Sequence, residues 1–293
     1  MSVSLTTNVL ASPVSLQLRG RRDNGKPRTS LVILDPRKAA VVAVDVWTSH
    51  SCSGFNQHAA KFLNRMQETL EACRRLAMSI VFAPSGANLE AVADLPARKN
   101  ILALPHAKLP ESNGFLASHA VNGPFAAPCM CPITSLQPET SVPLVRCQRV
   151  QSDYNQHPAL KIEDIDYFLS AGKYSPGTRS AIKSWGEPAQ QELWNLVQAK
   201  GITHILYVGF ASNMCIINRE FAMIQARRMG LQPIIIRDLT LAITYDGYNP
   251  LTRSIDASFG PDDGSRYALE YIETRVGPSI ESAQLRRSQE GGR

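Results

Sequence analysis

Short apolar runs alternate along this chain with stretches whose apolar positions recur every three or four residues. Ala39-Ala-Val-Val-Ala-Val44 is continuous and rich in β-branched residues, the pattern of a strand buried on both faces of a parallel sheet. Across 58–77, Phe62, Met66, Leu70, Cys73 and Leu76 fall at helical spacing, and Ser79–Ala83 reads as the next strand. Further on, Asp166–Leu169 predicts a strand, Ala189–Lys200 a helix ended by Gly201, and His204–Val208 another buried strand. Met214–Met229 reads as one helix, with Ile217, Phe221 and Ile224 on one face and Arg219, Arg227 and Arg228 elsewhere. It stops at Gly230, ahead of a strand at Pro233–Arg237. Such alternation predicts right-handed crossovers and an α/β fold, a three-layer α/β/α sandwich with a mainly parallel central sheet. In sheets of this kind function gathers beyond the carboxyl ends of the strands.

The rest of the chain lacks this regularity. Residues 84–150 carry several prolines and little periodicity, and read as an insertion of loops and short strands that could cover a site. The expected division is a basic N-terminal arm over 1–34, one main domain over 35–280 with the irregular insertion at about 84–150, and a polar tail over 281–293.

Charge bears on the arm alone. Of the formal net charge of +6, residues 1–40 supply +5, through Arg19, Arg21, Arg22, Lys26, Arg28, Arg37 and Lys38 against Asp23 and Asp35. A basic arm on a neutral body argues against a nucleic-acid-binding fold. Residues 1–22 lack acids and are rich in Ser and Thr, as transit peptides are, but Val14–Arg19 alternates like a strand and favours an ordered arm. That arm is expected to pack on its own domain or on a neighbouring subunit of a homo-oligomer. No apolar run is long enough to span a bilayer. Cysteines at 52, 73, 129, 131, 147 and 215 have no framework spacing, which points to reduced thiols and a cytoplasmic location.

Three residues at strand ends could carry chemistry. Asp45 follows Val44 directly, Lys173 lies just beyond the 166–169 run, and Cys215 opens a helix after His204–Val208. A helix N-terminus favours a thiolate and can bind an oxyanion. Read singly, each has a blander meaning: a buried filler thiol, a helix cap, a surface cation. In Asp45-Val-Trp47-Thr-Ser-His50-Ser-Cys52, Trp47 and His50 are expected to line a pocket, ahead of a purely structural role and well ahead of metal binding. Tyr245 and Asn249 could also reach a site, although Asp-Gly-Tyr-Asn-Pro reads equally as a turn.

Two stretches decide between these readings. "GITHILYVGFASNMCIINREFAMIQARRMGLQPIIIRDLT" and "AAVVAVDVW" resemble, in the right order, the nucleophile and first-strand blocks of the isochorismatase-like (cysteine hydrolase) superfamily. The resemblance implies Asp45 as general base, Cys215 as nucleophile and a lysine completing the triad, best matched by Lys173, with Lys161 and Lys183 behind it. It also implies a cis peptide at Phe210–Ala211, an oxyanion hole from the N–H groups of Ala211 and Cys215, and Asp238 as a structural acid. Trp47, His50, Tyr174 and Asn213 would form the substrate pocket.

The chain departs from the family at three places. Ser212-Asn213 stands where Thr-Asp is usual, Lys173 directly precedes Tyr174-Ser175 with Ala171 at the usual lysine position, and Ala83–Asn88 lacks the Asp-x-His metal ligands of nicotinamidases. The expectation is therefore hydrolysis of a small molecule's C–N bond (amide, ureide or carbamate-like) through an acyl-enzyme, with no metal, cofactor, nucleic acid or membrane involved. The alternatives are a vinyl-ether hydrolase that needs no covalent step and an inactive binding or scaffold member of the family.

Overall fold

In the computed structural model, which describes residues 12–50, 53–84, 89–110, 153–170, 187–243, 248–249, 254–255 and 261–290, the apolar runs form the middle of an eight-stranded sheet. The chain begins with a hairpin of Val14–Arg21 (β1) and Pro27–Leu34 (β2), then Ala39–Val44 (β3) and Trp47–Ser49 (β4). Ser53–Arg75 (α1) and Ser79–Ala83 (β5) follow, then Leu89–Val92 (α2), Pro96–Leu102 (α3), Asp153–Gln156 (β6) and Tyr167–Phe168 (β7). The second half runs Glu187–Lys200 (α4), His204–Phe210 (β8), Cys215–Asn218 (α5), Met223–Arg228 (α6) and Gln232–Leu241 (β9). It closes with a small pair at Tyr248–Asn249 (β10) and Ser254–Ile255 (β11), then Pro261–Tyr271 (α7), Ser279–Ile280 (β12) and Ser282–Glu290 (α8).

The sheet order is β2-β1-β12-β9-β8-β3-β5-β7, parallel from β12 to β7, with the hairpin added antiparallel at one edge. The fold is thus the three-layer α/β class that the alternation predicts. All six residues of β3 are buried. Each valine taken out of water there is worth roughly 1.5–3 kcal/mol, and this is why the run carries no polar residue before Asp45.

Topology places the site. From β3 the chain passes through α1 to β5 on one side; from β8 it passes through α5 and α6 to β9 on the other. Right-handed crossovers in opposite directions put α1 and α6 on opposite faces. The strand order therefore reverses between neighbours β3 and β8, and a crevice opens past their carboxyl ends. Asp45 and the loop leading to Cys215 leave from those two ends.

Three expectations need correction. The supposed polar tail contains α8, held by the fully buried Leu285 and Ser282 and packed on α1. The basic arm is not among them: packed on its own domain, it enters the main sheet through Arg19 opposite Ser279, because its alternation buries Val14, Leu16 and Leu34. The described part of the insertion, 89–110, holds two short helices where loops and strands were expected; Arg98 of α3 bonds the Phe168 carbonyl at 3.0 Å and pairs with Glu192 at 2.9 Å. The expected helix over 214–229 is broken into α5 and α6, with Arg219 in extended conformation (φ −67°, ψ 165°). At the break, the Phe221 carbonyl accepts a hydrogen bond from the buried Tyr207 hydroxyl at 2.8 Å. No helix among the described residues is long and apolar enough to cross a membrane.

Candidate active site

Gly209, near the end of β8, brings the two strand ends together. It sits at φ +108°, and a Cβ there would lie 2.1 Å from the Val44 carbonyl oxygen. Only glycine allows β8 to press this closely on the end of β3. Asp45 then turns out of the sheet at φ +54°, donating its N–H to the Ala83 carbonyl (3.2 Å) and accepting from the N–H of Trp47 (2.9 Å). Aspartate tolerates this left-handed region better than most residues. The whole residue is buried.

Across the crevice, Ala211 also has a positive φ, +60°. The Phe210–Ala211 bond is trans, contrary to the expected cis peptide: among the described residues there is no cis bond, and the left-handed Ala211 makes the corner instead. Two strained non-glycine residues, each costing about 1 kcal/mol or more, thus begin the two segments that carry Asp45 and Cys215. The Ala211 carbonyl accepts from the N–H groups of Met214 (2.9 Å) and Ile216 (3.2 Å), while Ser212 donates to the Leu241 carbonyl (3.1 Å). This wraps the loop so that Cys215 lies buried at the start of α5. The Asn213 side chain is wholly buried and brackets Ile243, donating to the carbonyl (3.1 Å) and accepting from the N–H (2.9 Å).

The helix that begins at Cys215 has four residues, too short for a strong dipole to bias a thiol. A side chain supplies positive charge instead. The guanidinium of Arg219, four residues on, hydrogen-bonds the Cys215 side chain and lies within the electrostatic reach of Asp45 and Glu220. Burial alone would lower its pKa, but the charges of Cys215, Asp45 and Glu220, with that hydrogen bond, outweigh burial and raise it above its usual value. Sequence reasoning missed Arg219 by placing it on the far side of an unbroken helix. The available signal was its i,i+4 spacing from the candidate nucleophile, which puts two side chains on one face of a turn.

The other expected residues divide clearly. Trp47 and His50 line a small recess with Phe55, Phe210 and His157 that opens to solvent. His50 stacks on Trp47 (centroids 5.8 Å, 17° between planes) and tilts against Phe55 at 5.0 Å. Burial pushes its pKa down to about 4, so the ring is neutral near pH 7. Lys161 is exposed and paired with Glu71 at 2.9 Å, which removes it from the triad candidates. Lys173, Tyr174, Lys183, Cys52 and Tyr245 lie outside the described residues, as do 85–88 of the expected ligand-free stretch and the side chain of Asn249. Asp238 is structural, accepting from the N–H (2.8 Å) and Oγ (2.6 Å) of Ser282 at the start of α8. The Cys73 thiol is pushed up to about 12 by burial and is inert by comparison.

A buried acid, a buried thiol and a guanidinium at the switch point of a mainly parallel sheet define a candidate nucleophilic centre on an α/β scaffold. No protein-family model matches the chain, and no curated protein matches its sequence. Similar solved structures include a cysteine hydrolase from Pseudomonas syringae pv. phaseolicola, with 15% identity and a TM-score of 0.49 over 88% of this chain and 95% of that one. An isochorismatase family protein from Burkholderia thailandensis has 16% identity and a TM-score of 0.44 over 88% and 97%. N-carbamoylsarcosine amidase from Thermoplasma acidophilum has 12% identity and a TM-score of 0.39 over 84% and 96%. These likenesses are loose, and the functional reading stands on the chain's own residues.

Proposed function

We propose that this protein is an isochorismatase-like cysteine hydrolase that cleaves a C–N bond of a small amide, ureide or carbamate. The observation that carries the reading is that Asp45 and Cys215 are both buried just beyond the carboxyl ends of adjacent parallel strands, with the Arg219 guanidinium hydrogen-bonded to Cys215 and under the charge of Asp45. In the proposed reaction the Cys215 thiol gives its proton to the Asp45 carboxylate, and the sulfur attacks the substrate carbonyl carbon. The carbonyl electron pair moves to oxygen, where the N–H groups of Ala211 and Cys215 would receive it. Collapse of that intermediate breaks the C–N bond, and Asp45 returns the proton to the leaving nitrogen. Water then hydrolyses the thioester. The aromatic recess at Trp47 and His50 would seat the apolar part of the substrate.

The test is turnover on a panel of amides, ureides, carbamates and vinyl ethers, with mass spectrometry for a covalent adduct on Cys215. Cys215→Ala should fall to background, Asp45→Asn nearly as far, and the double variant little further, because the pair acts as one unit. Full activity in Cys215→Ala would eliminate the acyl-enzyme and favour vinyl-ether chemistry. No turnover and no adduct on any of the panel would leave a binding protein.

A further inference from the structure

We propose that Arg219 is the permanent cation of this centre, holding the Cys215 sulfur as thiolate while its proton resides on Asp45. The inference rests on the reading of Cys215 as nucleophile and deepens it. The geometry begins with the helix break: Arg219 caps the single turn of α5, its N–H bonding the Cys215 carbonyl at 3.2 Å, and its guanidinium hydrogen-bonds the Cys215 side chain of the same turn. The charges acting on it are Asp45 from the end of β3 and Glu220 next in sequence. Toward β4, His50 is uncharged at neutral pH.

The charges before and after the proton moves show what such a group does. Before the proton moves, the centre holds an Asp45 carboxylate, a neutral thiol and the guanidinium. Afterwards it holds a neutral acid, a thiolate and the same guanidinium. The transfer itself conserves charge with or without Arg219; what the guanidinium adds is a fixed opposite charge beside the single negative charge, so that the thiolate is not left unpaired in a desolvated site. The guanidinium transfers its partnership from carboxylate to sulfur without giving up a proton, which an arginine does not do in this pH range. A lysine could lose its proton to either neighbour and switch the arrangement off. Arg219 cannot.

The experiment measures thiolate character directly and needs no substrate. In the full-length protein, Cys215 is alkylated with iodoacetamide from pH 5 to 9, with each cysteine peptide followed by mass spectrometry, for wild type, Arg219→Lys, Arg219→Gln and Arg219→Met. Losing the cation should slow Cys215 at pH 7 by about tenfold or more and move its inflection to higher pH. Arg219→Lys should lie between wild type and Arg219→Gln, and Cys73 should stay slow throughout. If Arg219→Met unfolds, Arg219→Gln gives the same readout with a polar side chain retained. A Gln profile that superimposes on wild type overturns the proposal, as does a Lys profile no faster than Gln. Failure of the hydrolase reading looks different: Cys215→Ala keeps its activity while the alkylation profiles still separate.

Discussion

His50 stands where a positive charge would face the rings of Trp47 and Phe55, and Phe55 in turn meets Phe210 edge-on at 5.5 Å. Its folded pKa of about 4 lies below the ordinary value near 6.5, because burial disfavours the charged form. The unfolded chain therefore takes up this proton before the folded one does. Stability from the neutral ring is complete above about pH 6.5 and drains as pH falls toward 4, by up to ~3 kcal/mol. Urea midpoints measured from pH 7.5 to 4 should decline in wild type, and the decline should be shallower in His50→Phe. Equal slopes would mean that other groups govern acid unfolding. At this scale the sequence was informative wherever a residue type has one natural use. Asp45 after a buried run and Cys215 after a strand stood out by position, and the two stretches around them, read together, gave those positions their roles. Arg219 did not stand out, because its role depends on a chain break that spacing does not announce.

The elements were legible in proportion to their burial. β3 and β5 fall on the expected residues, and β8 and β9 extend the expected strands, since runs such as Ala39–Val44 have no other plausible place in a soluble fold. What the pattern misread was interruption. β9 shifts register between Tyr207 opposite Ile235 and Gly209 opposite Thr240, and the extra residues of this bulge include Arg237 and Asp238. The bulge frees Asp238 to reach α8, a helix hidden behind a polar composition in which Leu285 is the chief apolar anchor. Asp238→Ala should remove both bonds to Ser282 and leave the first turn of α8 uncapped. The expected cost is about 1 kcal/mol, or roughly 2–4 °C in Tm, with Cys215 alkylation unchanged. A calorimetric scan identical to wild type would show that Arg65, 3.6 Å away on α1, holds this corner without the carboxylate.

Over the whole molecule, the sheet is closed at one edge by its own N-terminal segment. Glu273 lies buried between them, its oxygens taken by Arg19 at 2.7 Å, Arg21 at 3.0 Å and Ser279 at 2.5 Å. The charge excess of the arm is thus partly used inside the fold, and Arg37 is likewise paired with Asp35 at 2.8 Å. Replacing both Arg19 and Arg21 with Met should leave a buried carboxylate without a cation. Allowing for their partial exposure, the expected loss is ~1–3 kcal/mol in urea unfolding, largely recovered when Glu273→Gln is added. Absence of that recovery would assign the loss to the arginine stems and not to charge.

The pairing of first strand with last also sets a timetable. Arg19 and Glu273 are 254 positions apart, and β1 meets the rest of the sheet only through β12, two residues long. On a ribosome the hairpin emerges before anything it can join, and a lone two-stranded hairpin is marginal in water. Val14, Leu16 and Leu34 therefore stay uncovered until β12 has been made, long after the β3–β5 layer can form. Translation is the interval in which this protein is most open to aggregation. A chaperone that took hold of the nascent hairpin would have to keep it until β12 had been made.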